Sequence, residues 1–152
     1  MRLTETLKQW LKEKEWTEEP EINEENQTSS TSFNFDLGDH TVNCWFEINE
    51  QQEVFKLYMY FLASKAPEDK LDEVQKFISA KSVDMLLGHL QLLRDERVIR
   101  YYNAIDVENA SFEPAHITNM LNAGLSTMRN QLPNYITICF GSKTADEVLA
   151  EE

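Results

Sequence analysis

The side chains able to do chemistry are few and poorly spaced for it. Two cysteines, Cys44 and Cys139, and three histidines, His40, His89 and His116, supply all the thiols and imidazoles of the chain. No Cys-x-x-Cys, His-x-x-x-His or carboxylate-rich ligand pattern connects them, so no metal centre is expected. A Cys-His nucleophile needs thiol and imidazole within hydrogen-bond reach. His40 and Cys44 share one face of an alternating run but stand about 13 Å apart at ~3.3 Å per residue, which forbids direct activation. Both cysteines lie in apolar runs, where a free thiol behaves as a small hydrophobe. Gly38, Gly88, Gly124 and Gly141 are scattered, so neither a P-loop nor a dinucleotide Gly-x-Gly-x-x-Gly turn can be built. Carboxylate pairs abound, yet they fall in hydrophilic turns and on polar helix faces, the usual place for solvated charge. These residues argue against most enzymes and call for no cofactor.

Charge constrains the partner. The chain has 152 residues with 14 Lys plus Arg against 27 Asp plus Glu, a formal charge of −13. Arg94, Arg97 and Arg100 are the one local basic excess, and pairing with Asp95, Glu96, Asp106 and Glu108 accounts for them. Nucleic acid is not expected, because that patch would have to overcome repulsion between an acidic protein and a polyanion. Net acidity favours basic protein partners. A composition 41% hydrophobic and 11% aromatic is too rich for a disordered chain. No apolar run approaches the ~18 residues of a membrane helix. The length is that of a single domain over 1–152, burying roughly 68–70% of its unfolded surface. Met1 to Trp10 mixes Arg2, Glu5 and Lys8 with Leu3 and Leu7 and has no secretory apolar block, which together with reduced thiols leads us to expect a cytoplasmic protein.

The elements that must carry these residues follow from periodicity. Leu3, Leu7, Trp10 and Leu11 fall at helical spacing and predict a first helix over about 3–15. Residues 17–32, rich in glutamate and then wholly small or polar, read as a flexible connector that Ile22 alone could anchor, or in which it pairs as a short edge strand. Three alternating segments follow: Phe33, Phe35 and Leu37; Val42, Cys44, Phe46 and Ile48; Phe55, Leu57, Met59 and Phe61. Pro67 opens a second helix to about residue 81, with Leu71, Val74, Phe77 and Ile78 as its stripe. Leu86–Leu93 and Arg97–Val107 read as a hairpin. Pro114 opens a third helix bearing Ile117, Met120, Leu121, Leu125 and Met128, in which Gly124 signals close packing. Tyr135–Phe140, β-branched and aromatic between Pro133 and Gly141, reads as a last strand, and Thr144 with Glu147 forms the capping box of a short final helix. The expected order is α-βββ-α-ββ-α-β-α, an α+β fold with an antiparallel sheet covered by helices.

The sheet's second face is the candidate site. Trp45 stands opposite the core side of the second strand and Tyr58 and Tyr60 opposite that of the third, while Tyr101 and Tyr102 put one aromatic on each side of a later strand. These five residues mark a surface for a partner or a second copy, unless the second helix covers it.

From Lys81 onward the chain resembles the YbjN-like family of sensory transduction regulators, with cyanobacterial and chloroplast relatives. The resemblance rests on Leu87-Gly88-His89-Leu90-Gln91-Leu92 and on Val98-Ile99-Arg100-Tyr101-Tyr102 through Ile105-Asp106-Val107. It continues in the helix Ile117–Met128, in Pro133-Asn134-Tyr135-Ile136, and in the tail Ala145-Asp146-Glu147-Val148. In the hairpin, where the family often has glycine, this chain has Arg94-Asp95-Glu96-Arg97. The resemblance implies a type III secretion chaperone-like α/β sandwich, of a kind that commonly forms homodimers and holds an extended segment of a client; it brings no catalytic residues. The expected function is a non-catalytic, chaperone-like or regulatory module binding an extended segment of a protein partner. The alternative is a small-molecule sensor or enzyme with a pocket between the first helix and the sheet, using Cys44 or His89.

Overall fold

A computed structural model describes residues 1–152. Helix α1 (Arg2–Glu13) buries Leu3, Leu7, Trp10 and Leu11 as their spacing requires. Its N-terminus is capped from afar: the Glu50 carboxylate accepts from Leu3 N at 3.2 Å, Thr4 N at 2.7 Å and Thr4 Oγ1 at 2.9 Å. A carboxylate on free amide groups at a helix start satisfies donors and complements the helix dipole.

Strands β1 (Glu21–Asn23), β2 (Thr28–Asp36), β3 (Thr41–Asn49) and β4 (Val54–Phe61) come next. Helix α2 (Leu71–Val83) follows a single 3-10 turn at Glu68–Lys70 and leads to β5 (His89–Leu93) and β6 (Val98–Asp106). Helices α3 (Pro114–Phe140) and α4 (Ala145–Ala150) complete the chain. The strands form one antiparallel sheet in the order β1-β2-β3-β4-β6-β5. Inward residues of β2, β3, β4 and β6 join the buried stripes of all four helices in one hydrophobic cluster, so the helices lie against one face of the sheet. Trp10 organises one end, edge-on to Phe46 at 5.4 Å and to Trp16 at 5.1 Å, with its indole N–H donating to Thr118 Oγ1 of α3.

Two elements depart from the expected order. Within the expected connector, Glu21–Asn23 pairs with Thr28–Ser30, and β2 begins at Thr28. Small polar residues suit this place because α1 packs close to it: Ser29 and Thr31 are buried, and Ser29 Oγ meets Thr4 Oγ1 at 2.8 Å. Ile22 does pair as the middle of an edge strand. The second correction is larger. The expected last strand, Tyr135–Phe140, is the C-terminal part of α3, a 27-residue helix that carries Pro133 inside it. Met128, Leu132, Tyr135, Ile138 and Cys139 are its buried residues there, a 3.6-residue period. Pro133 is exposed, so the Arg129 carbonyl deprived of its helical partner lies on the solvent side.

The Thr144–Glu147 capping box forms as expected. The hairpin that departs from the family's glycine also has a physical answer. Arg97 takes the left-handed backbone, φ 59°, and is held there by Arg97 N to Leu93 O at 2.7 Å and by reciprocal bonding with Ala66.

Candidate protein-binding surface

Side chains alternate along a strand, so each inward hydrophobe leaves its neighbour on the other face. On β3 that neighbour of Cys44 and Phe46 is Trp45; on β4, Tyr58 and Tyr60 flank Met59; on β6, Arg100 and Tyr102 flank Tyr101. Register then aligns them across strands. Trp45 stands opposite Tyr58, Tyr58 opposite Tyr102, and Tyr102 opposite His89. At about 4.8 Å between strands this row crosses four strands, roughly 14 Å. Ring centroids are 5.2 Å apart for Tyr58 and Tyr102 and 5.4 Å for Tyr102 and His89. A parallel row sets Asn43, Tyr60, Arg100 and Gln91 side by side.

Arg100 ties the rows together. Its guanidinium lies 4.7 Å from the Tyr58 centroid and 5.6 Å from that of Tyr60, and donates to Gln91 Oε1 at 2.6 Å and Tyr60 Oη at 2.9 Å. Burial raises the Tyr58 hydroxyl above its ordinary pKa, Glu47 and Tyr102 add to the rise, and Arg100 opposes it. Trp45 remains 40% exposed.

The sequence placed Trp45, Tyr58, Tyr60 and Tyr102 on this face, and they are there. Tyr101 is not. It is fully buried, its hydroxyl donates to Leu87 O at 2.9 Å, and a Cβ built on Gly124 would stand 2.9 Å from its ring. Consecutive residues of one strand cannot share a face, so Tyr101 belongs to the core. Helix α2 does not cover the aromatic face; its Val74, Phe77 and Ile78 are part of the core.

The other sequence candidates disperse. Arg94 pairs with Asp72 at 2.9 Å, Arg97 bonds Ala66 O, and Arg100 stacks on tyrosines, so the three arginines form no patch and do not pair with Asp95, Glu96, Asp106 or Glu108. His40 packs edge-on against Phe61, and His116 Nδ1 accepts from Glu113 N at the start of α3. Cys44 is buried and its thiol pKa strongly raised by burial; burial also raises Cys139, to about 11. The space between α1 and the sheet, expected under the alternative reading to be a pocket, is filled by Leu7, Trp10, Phe46 and Phe55. A cleft of about 570 Å³ opens instead on the outer flank of α1, lined by Lys8, Lys12, Trp16, Glu18 and Glu19 among others.

Two further features were not foreseen. Only the first part of β2 is covered by β1. Beyond it the backbone N–H and C=O of Ser32, Asn34 and Asp36 point away from β3 and find no partner in the chain, as the alternation of hydrogen-bonded pairs from Leu37–His40 dictates. The opposite edge is better protected, since Ser82 Oγ of α2 bonds both N–H and C=O of Leu90. Next to that edge Val83 at the end of α2 and Leu86 and Leu87 in the loop after it are exposed, Leu86 at 94%. The sequence had placed Leu86 and Leu87 on the strand, which begins only at His89.

This architecture is the type III secretion chaperone-like α+β sandwich that the sequence resemblance implied. Similar folds are seen in ExsC from the ExsC-ExsE complex (TM-score 0.62, 14% identity, covering 86% of this chain and 94% of that one) and in the HopA1-SchA chaperone-effector complex (0.54, 13%, 83% and 88%). The fold of YbjN from E. coli is also similar (0.52, 10%, 84% and 86%), so the resemblance to YbjN holds at the level of the fold. No family model matches the sequence, and no curated protein matches it. No helix is long and apolar enough to cross a membrane.

Proposed function

We propose that this protein is a non-catalytic, chaperone-like or regulatory module that binds an extended segment of a protein partner on the outer face of its sheet. The carrying observation is the row Trp45, Tyr58 and Tyr102, with Tyr60 beside it, on a face that none of the chain's own helices covers. Aromatic side chains on an unpartnered face are what protein interfaces select, because each offers large apolar area with little entropy to lose. The unpaired backbone of Ser32, Asn34 and Asp36 along the same side favours an extended partner, since main-chain hydrogen bonds there await a strand. Two proteins of similar fold were solved as complexes with a second protein. The dispersed histidines and the protonated, buried thiols support a binding role over catalysis, and the unbridged cysteines support a reducing, cytoplasmic setting. The test is photo-cross-linking from position 45 or 60, against position 130 on α3, in the cells that make the protein. Protein adducts specific to 45 and 60 support the reading; equal labelling from Asn130 overturns it.

A homodimer is the second part of the proposal. The end of α2 and the loop after it expose Val83, Leu86 and Leu87, apolar side chains that a second copy would cover. A second copy seated there leaves the aromatic face free for the client. Light scattering is expected to give a dimer that Leu86→Asp with Leu87→Asp converts to monomer; a wild-type monomer removes this part alone.

A further inference from the structure

The aromatic face is lopsided in charge. Trp45 lies between two clefts, one of about 320 Å³ lined by Asn43, Glu47, Tyr60 and Leu62, the other of about 230 Å³ lined by Glu18, Glu19, Glu21 and Ser32 among others. None of the four carboxylates Glu18, Glu19, Glu21 and Glu47 takes part in an ion pair or a side-chain hydrogen bond. The nearby cations make no ion pair with them. Lys56 stands opposite Glu47 without bridging it, Lys8 and Lys12 line the cleft on the other flank of the Glu18–Glu19 segment, and Arg100 is held by Gln91, Tyr60 and two rings. The exposed indole is thus bordered by unengaged negative charge on both sides.

An indole face beside carboxylates has a preferred guest. A cation is attracted to the ring quadrupole and to the carboxylates together. Arginine suits the place better than lysine, because its planar guanidinium stacks flat while its fork engages a carboxylate in two parallel hydrogen bonds. The protein already stacks one guanidinium on an aromatic ring of this face, Arg100 over Tyr58, where its N–H groups donate to Gln91 and Tyr60 and to no carboxylate. A second copy of the chain would bring the same four carboxylates and a further −13 against them, and a phosphate backbone would be repelled.

We propose that Trp45, flanked by Glu18, Glu19, Glu21 and Glu47, is the docking point for an arginine side chain carried on an extended segment of the partner protein. The proposal rests on the reading of this face as the partner surface and adds the partner's chemistry. In an extended guest, residues i and i+2 face the same side, roughly 6.6 Å apart, so an arginine over Trp45 lets a second one reach the carboxylates beyond.

The test is a fluorescence-anisotropy titration of the full chain with a labelled ten-residue peptide alternating arginine with threonine, and with the same peptide carrying neutral citrulline for arginine. The arginine peptide is expected to bind at least tenfold more tightly. Trp45→Ala is expected to weaken it about tenfold, while Trp45→Phe retains much of the binding. The triple change Glu18→Gln, Glu19→Gln and Glu21→Gln is expected to weaken it and flatten its salt dependence. Citrulline and arginine peptides that bind equally, both weakened by Trp45→Ala, overturn the arginine assignment and leave the partner surface standing. Arginine binding unchanged by Trp45→Ala is diffuse attraction to an acidic protein and overturns the assignment. Absence of binding by either peptide overturns it as well, and photo-cross-linking from position 45 then decides the partner surface separately.

Discussion

Arg100 lies over the Tyr58 ring, its guanidinium carbon 4.7 Å from the centroid, and a residue from β6 thereby fixes an aromatic of β4 on the outer face. Half-buried cation–aromatic stacking contributes about 0.5–2 kcal/mol. Arg100→Ala is therefore expected to cost about 1–2 kcal/mol in urea unfolding and to raise the Tyr58 pKa further, since Arg100 is the one neighbour holding it down. Tyrosine resonances followed through a pH titration check the second effect; a Tyr58 that titrates unchanged refutes the stacking.

Gly124 meets Tyr101 across the α3–β6 interface. A methyl group there would lie 2.9 Å from two Tyr101 ring carbons and 3.1 Å from Met59 Cε. Alanine gains about 1 kcal/mol in helix propensity, but overpacking a buried contact costs about 1–3. Gly124→Ala is expected to be destabilising by roughly 1–2 kcal/mol, with Tyr101→Leu in the same chain offsetting part of the loss. A stabilised single variant would show that the contact yields.

Pro133 offers the opposite case. It is exposed within α3, lacks the amide that would bond the Arg129 carbonyl, and leaves Thr137 Oγ1 bonded to its own carbonyl at 3.0 Å. Pro133→Ala is expected to stabilise the chain by about 1–3 kcal/mol and to raise its helical circular dichroism. A loss of stability would mean that a bend at Pro133 is needed to seat Tyr135, whose hydroxyl donates to Ser64 O.

Burial holds both thiols protonated. Cys139 moves from 9.0 to about 11 and Cys44 is raised further. Because the unfolded thiol ionises near 9 while the folded one keeps its proton, the unfolded state binds fewer protons above that pH and stability falls as pH rises. The urea midpoint is expected to hold up to about pH 9 and to drop between about 9 and 11, less so in Cys139→Ala. Below that range neither cysteine is expected to react with a thiol reagent until the chain unfolds.

What could be read from the residues depended on whether local periodicity carried the information. Cys44, Phe46, Leu57 and Met59 alternate so regularly that β3 and β4, and with them the outward setting of Trp45, Tyr58 and Tyr60, follow at once. Composition misled at Tyr135–Phe140, where β-branched and aromatic residues after a proline look like a strand while Met128, Leu132 and Tyr135 keep a helical period. Ser29 and Thr31 misled in the other direction, being polar residues buried by close approach of α1. Strand order was out of reach because β6 inserts beside β4, ahead of β5 in the sheet, and only that non-local pairing puts Tyr102 next to Tyr58. The return of Glu18–Glu21 toward Trp45 likewise depends on β1 pairing.

The uncovered stretch of β2 exposes the chain to a hazard as well as a guest. Unsatisfied ladder positions at Ser32, Asn34 and Asp36 will accept any strand, including the same stretch of another molecule, and mutual repulsion of like-charged copies is what keeps such flanks apart. Toward the isoelectric pH of about 4.6 that repulsion is lost, so cross-β polymers, followed by thioflavin fluorescence, are expected to nucleate at this flank as the pH approaches it.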